Sequence, residues 1–104
     1  MSESTLHSVQ PVFDATAVCY RYQHDAESPV PPSTAVVLAV GSITDERPRA
    51  MPVLRETIAP ETIDTLVSDT GTTGTLSFEY HGHSVTVDAS GNLRLVPLQR
   101  NVFV

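Results

Sequence analysis

Residues 74–96, GTLSFEYHGHSVTVDASGNLRLV, constrain the fold more than any other stretch of this chain. Apolar and polar residues alternate on both sides of His81-Gly82, which is the period of a strand with one buried face. Glycine supplies the positive φ angle that a tight hairpin turn needs, so strand pairing counts outward from these two residues. A second turn over residues 89–91 ends in Gly91 and leads into a third strand. The stretch therefore predicts a three-stranded antiparallel meander.

The register of this meander brings its apolar side chains to one face. Tyr80 pairs with His83 across the first turn, and the pairs that follow alternate between the two faces. The apolar face contains these residues: Leu76, Phe78, Val85, Val87, Leu93 and Leu95. Because the sheet is apolar on one side only, other elements of the chain have to cover that side.

Two helices and one more strand are predicted upstream of the meander. TAVCYRYQH, from Thr16, alternates like a strand and predicts the fourth strand of the sheet. Ser33 is placed as the N-cap of a first helix that runs through TAVVLAV and stops before Pro48. The same run is rich in β-branched residues and is also compatible with a buried strand, but the apolar spacing favours the helix.

A second, short helix is predicted to begin at Pro60, whose missing N–H costs nothing at the first helical position. Ile58 and Ile63 have the spacing of a hydrophobic staple around that start. In the connector before it, Val53 and Leu54 are predicted to anchor the chain in the core.

Together these elements predict an α+β two-layer sandwich, with two helices covering a four-stranded antiparallel sheet. The sheet would combine the three-strand C-terminal meander with the N-terminal strand. Residues 1–15 are predicted to be a flexible N-terminal tail, residues 16–97 a single domain and residues 98–104 a C-terminal tail.

The charge pattern restricts the partners of the protein. The chain has twelve Asp and Glu, six Arg, no Lys and a net charge of -6. Such an acidic field keeps a protein soluble and repels nucleic acid at low salt. A salt-adapted source and a GC-rich genome would both favour arginine over lysine, and composition does not separate them. No apolar run approaches a membrane span and the N-terminus lacks signal-peptide features, so we expect a cytoplasmic protein.

PVLRETIAPETIDTLV followed by the meander resembles the halobacterial output domain family of haloarchaea. The resemblance covers about residues 17–96, and STAVVLAV is similar to the first helix of that family. The matching positions are mostly core and turn residues: Pro52, Leu54, Ile58, Pro60, Ile63, Leu66, Phe78, Tyr80, Gly82, Val85, Val87 and Gly91. Ala59 departs from the Asp that is usual before the short helix, and the ITDERPRA connector also differs from the family pattern.

The resemblance implies an output module in signal transduction, of a kind that is often joined to sensor or receiver domains. The matching positions are specific for a fold, and the family has no established biochemical activity. On this basis we expect a regulatory module that acts through contacts with another protein and has no catalytic activity and no cofactor.

The residues with reactive side chains do not form a pattern that is typical of catalysis or metal binding. His81 and His83 could supply metal ligands, but the predicted register points them to opposite faces. Cys19 could act as a nucleophile with His24, yet a lone cysteine is more often a small buried hydrophobic residue. No cysteine pair exists for an intrachain disulfide.

Arg47, Arg49 and Arg55 are the candidate contact residues of this chain. They lie in the connector between the helices, where they could bind a partner protein or the phosphates of a nucleic acid. The alternative is that they only offset the acidic residues around them. An accessory nucleic-acid-binding regulator is therefore the second functional hypothesis. The edge of the sheet and the apolar residues 102–104 offer surfaces for a homodimer.

Overall fold

A computed structural model describes residues 9–25, 27–68 and 73–98, and these residues form an α+β fold. The strands are β1 Val12–Asp14, β2 Cys19–Gln23, β3 Thr75–Tyr80, β4 His83–Asp88 and β5 Asn92–Pro97. The helices are α1 Pro32–Thr44 and α2 Pro60–Ser68. Two single turns of 3-10 helix, Pro48–Ala50 and Leu54–Glu56, lie between them.

The sheet has five strands in the order β1-β2-β5-β4-β3, with antiparallel neighbours throughout. The prediction of four strands is wrong because β1 lies within residues 1–15, which were assigned to the tail. A three-residue strand is too short to show an alternating pattern, and its structure depends on its neighbour. Phe13 pairs with Tyr20 of β2, and their rings make an edge-to-face contact with centroids 5.1 Å apart.

The predicted meander is confirmed, including its register. Tyr80 pairs with His83 and Phe78 with Val85 across the first hairpin. His81 and Gly82 have φ angles of 51° and 77°, as a tight hairpin turn requires. The predicted fourth strand is also present, next to β5, but it begins at Cys19 and not at Thr16.

One hydrophobic cluster joins the helices to the apolar face of the sheet. Its buried members are Val9, Ala35, Val36, Ala39, Val40, Met51, Leu54, Ile63, Tyr80, Val85, Val87, Leu93 and Leu95. Both helices thus bury side chains together with the three strands of the meander, while the two-layer sandwich stays a prediction. Neither helix in the described part of the chain has the length and apolar character needed to cross a bilayer.

Helix α1 is a helix, as predicted, but Ser33 is not its N-cap. Pro31 occupies the cap position without a side-chain hydrogen bond, and Ser33 lies inside the first turn. The backbone N–H and the hydroxyl of Ser33 donate to the carboxylate of Asp64 at 2.8 and 3.1 Å. A side chain from α2 therefore satisfies one of the free N–H groups at the start of α1.

The connector between the helices places Leu54 in the core and Val53 in solvent. Leu54 is 6% exposed and Val53 is 62% exposed, so the prediction that both are anchors is wrong for Val53. Val53 has extended backbone before the 3-10 turn of Leu54–Glu56, and only Leu54 joins the cluster. Helix α2 begins at Pro60 as predicted, with Ile63 fully buried and Ile58 packed against the same cluster.

The change Gly41→Ala should destabilise the protein, although alanine is the better helix former by about 1 kcal/mol. A Cβ atom at Gly41 would lie 2.7 Å from the carbonyl oxygen of Glu46 and 3.2 Å from Sδ of Met51. We expect a loss of roughly 1–3 kcal/mol in the free energy of unfolding, measured by urea denaturation. Ser42→Ala, at the exposed neighbouring position, is the matched control and should cost almost nothing. A Gly41→Ala variant as stable as the parent would contradict this packing.

Candidate functional site

A hollow of about 910 Å³ lies beside the C-terminal end of α1, and we call it the α1 hollow. Among the described residues its lining consists of Val9, Gln10, Leu38, Gly41, Ser42, Asp45, Glu46, Arg47, Pro48 and Arg49. Val9 belongs to the core cluster and Leu38 packs against it, whereas residues 45–49 are exposed. The hollow therefore combines an apolar floor with charged side chains at its margin.

The backbone after α1 shapes this hollow. The helix ends at Thr44, and Asp45 adopts the left-handed conformation with φ 61°. The N–H groups of Asp45 and Glu46 both donate to the carbonyl oxygen of Gly41, the latter at 2.9 Å. The chain can turn this tightly because Gly41 has no side chain in the path of Glu46. The turn directs residues 46–49 back along the end of the helix.

The three arginines singled out by the sequence occupy different environments. Arg47 and Arg49 line the α1 hollow, are exposed and have no ion-pair partner among the described residues. Arg55 does not belong to the described lining, and its Nη2 donates to Oε2 of Glu61 at 2.7 Å. The structure thus brings two of the three arginines together beside an apolar surface, and their role as contact residues stays a prediction.

Glu46 is held by the turn between β3 and β4. The Nε2–H group of His81 donates to Oε1 of Glu46, and the two residues form an exposed ion pair when the imidazole is protonated. Hydrogen bonds from His81 and then from Thr44 lower the pKa of Glu46 below its ordinary value of 4.5. The carboxylate of Glu46 is therefore already hydrogen-bonded. Asp45 is the other acidic residue in the described lining of the hollow.

The histidines considered as metal ligands have separate structural contacts. His83 is buried beside Tyr80, and its Nδ1–H group donates to the backbone carbonyl of His81 at 2.9 Å. His81 instead reaches Glu46. Within the described ranges, no three His, Cys, Asp or Glu side chains are grouped as a metal site would need.

Cys19 and His24 lie at opposite ends of β2. Cys19 is its first residue and is buried, while His24 follows its last residue. Five residues of extended strand span roughly 16 Å, so the two side chains are too far apart for a thiol–imidazole pair. His24 donates from Nε2 to the carbonyl oxygen of Val30 at 2.8 Å and so fixes the segment that precedes α1.

The open face of the sheet carries two arginines that sequence reasoning did not select. Arg21 of β2 lies directly opposite Arg94 of β5, and its Nε donates to Oδ2 of Asp14 at 2.9 Å. A second hollow, of about 470 Å³, is lined by Arg21, Tyr22, Gln23, Thr75, Thr86, Asp88, Asn92, Leu93 and Arg94. The alternating patterns of β2 and β5 place both arginines on the polar face. Their pairing becomes visible only when the neighbouring strands are known.

Exposed apolar side chains also mark the β1–β2 hairpin. Val12, Phe13 and Val18 are all exposed, next to the open edge of β1. Sequence reasoning expected a homodimer contact at an edge of the sheet without specifying which edge, and that contact stays a prediction. The second expected contact, residues 102–104, lies outside the described residues.

A family model described as Halobacterial output domain 1 matches residues 28–97. This range holds both helices and the three strands of the meander, and it covers more than half of the chain. Strands β1 and β2 precede it. A comparison with curated proteins and one with solved structures found no match.

The contact between Glu46 and His81 predicts an acid titration. The pKa of Glu46 is lowered in the folded protein, so the contribution of this group to stability is present above pH 4.5 and is lost as the pH falls through the folded value. His81→Asn keeps a residue that tolerates the left-handed turn and removes the imidazole. In a ¹³C NMR titration of the Glu46 carboxyl, this variant should raise the midpoint toward 4.5.

Glu61 provides the internal control for this titration. Its pKa is lowered mainly by the hydrogen bond from Arg55, on another part of the surface, and should not respond to His81→Asn. An unchanged Glu46 midpoint in the variant would show that the imidazole does not hold this carboxylate in solution.

Proposed function

The chain belongs to the Halobacterial output domain 1 family, and from this membership we propose that it is a regulatory output module that acts through contacts with another protein. The family description supplies the idea of an output role. The residues that make the contact, the partner and the absence of catalytic activity are parts of our proposal. We further propose that the module works in the cytoplasm, with its two helices forming one layer over the sheet.

The observation that carries the proposal is the α1 hollow. Leu38 packs against the core cluster and is half-buried, so part of this apolar side chain still faces the hollow. An apolar surface bordered by polar residues is typical of a protein interaction site. Arg47 and Arg49 stand at its margin, and arginine is enriched in such interfaces.

Nucleic-acid binding is the second candidate, and the same arginines favour it. Arginine side chains bind phosphate groups as well as carboxylates. The net charge of -6 works against it, because a polyanion that approaches this protein meets a repulsive field. Salt screens this repulsion, so the two candidates have to be separated by experiment.

The experiment uses the full chain, tagged and immobilised, in a high-salt extract of the source organism treated with nuclease. We expect a specific protein to be retained after nuclease treatment, and the same protein, once purified, to bind the chain directly. An unrelated bait of similar size and net charge controls for non-specific retention, because it should not recover that protein.

Two outcomes would contradict the proposal. Recovery that disappears with nuclease, together with tight binding of DNA over a range of salt concentrations, would favour the nucleic-acid candidate. Turnover of a metabolite by the pure protein, abolished by a point mutation in the α1 hollow, would show an enzyme instead.

A further inference from the structure

We infer that the α1 hollow binds an acidic amphipathic segment of the partner protein, with apolar side chains on its floor and carboxylates against Arg47 and Arg49. This inference rests on the proposed function, since it names the chemistry of the partner.

The floor of the hollow can accept an apolar side chain. Val9 and Leu38 lie at its base, and Pro48 contributes an exposed apolar ring from the loop. Because Gly41 has no side chain, the carbonyl group of Glu46 can lie close against the helix, and this brings the loop to the edge of the hollow. Contact with these groups removes apolar surface from water, which favours binding whatever the salt concentration.

Among the described residues at the margin of the hollow, the charged side chains that have no hydrogen-bond or ion-pair partner are mainly positive. Arg47 and Arg49 have no ion-pair partner in the described part of the chain, and Glu46 is engaged by His81. Of the acidic residues in the described lining, Asp45 is then the one whose carboxylate opposes them. Two guanidinium groups two positions apart can meet two carboxylates of one segment, and their planar forks suit bidentate contacts.

A nucleic acid fits this surface less well than an acidic peptide. Binding of single strands commonly relies on bases stacked on aromatic rings, and no aromatic residue occurs in the described lining. The apolar floor also offers nothing to a phosphate backbone. A peptide with both leucine and glutamate side chains matches the floor and the margin together, and it is the occupant that we infer.

The test measures the fluorescence anisotropy of a labelled helical peptide of Leu, Phe, Glu and Asp, titrated with the full chain. Three matched probes accompany it: a peptide with Gln and Asn in place of the acids, an oligoglutamate without apolar residues, and a single-stranded oligonucleotide. We expect the acidic amphipathic peptide to bind most tightly. Its advantage over the Gln and Asn peptide should shrink at high salt, because salt screens exposed ion pairs.

Charge variants locate the binding. The double variant Arg47→Gln with Arg49→Gln should weaken binding of the acidic peptide by roughly threefold to tenfold. Arg55→Gln removes the same charge outside the described lining and should leave the affinity unchanged. At the exposed position 42, Ser42→Glu should weaken binding and Ser42→Arg should strengthen it, which is a reversal that loss of folding cannot produce.

The inference fails if the oligoglutamate or the oligonucleotide binds as tightly as the amphipathic peptide, or if the Arg47 and Arg49 variant binds all probes unchanged. It also fails if the chain occupies the hollow with a second copy of itself, seen as a dimer in sedimentation that Ser42→Glu dissociates. A partner protein that still binds in these cases would leave the proposed function standing and overturn only the chemistry inferred for the segment.

Discussion

The fold depends on one helix, α1, that contains no charged residue. The sheet presents an apolar side that has to be covered, and α1 covers it with Ala35, Val36, Ala39 and Val40, all fully buried. The opposite side of α1 is also apolar at Leu38, where solvent or another molecule has to meet it. The floor of the α1 hollow is thus a direct result of how this helix is composed. A helix with a charged outer face would cover the sheet equally well and leave no such surface.

Three polar contacts hold the ends of α1 and the connector in place. Asp64 binds Ser33 at the start of the helix, and His81 binds Glu46 just beyond its end. The hydroxyl of Tyr80 donates to the carbonyl oxygen of Pro52 at 2.5 Å, and burial raises the pKa of this phenol. Because the neutral phenol is favoured in the folded state, the contribution of Tyr80 is complete below pH 10.0 and declines above it. The contacts of His81 and Tyr80 fix the loop that carries Arg47 and Arg49 against the first hairpin of the sheet.

Sequence reasoning succeeded where local patterns carry the information. The register of the meander follows from two tight turns and strict alternation, so it could be counted from Gly82 for the first hairpin and from Gly91 for the second. Pro60 marked the start of α2 for an equally local reason.

The features that were missed depend on contacts between distant parts of the chain. Strand β1 was not predicted, because a strand of three residues is too short to show an alternating pattern. Ser33 was misassigned because its true partner, Asp64, is 31 residues away in sequence. The α1 hollow depends on the left-handed residue Asp45 and on the approach of Glu46 to Gly41, and neither has a sequence signature. Because the sequence does not show this turn, Arg55 was grouped with Arg47 and Arg49. The structure places only the latter two beside the α1 hollow.

The central claim is that this family member acts through the end of α1 and the loop behind it. The most direct measurement is an amide NMR spectrum of the ¹⁵N-labelled full chain, recorded with and without the purified partner protein. The account predicts that shift changes concentrate in residues 38–49, with Gly41 and Ser42 among the largest. Changes confined to β2, β4 and β5, with residues 38–49 unmoved, would place the contact on the open face of the sheet and contradict the claim.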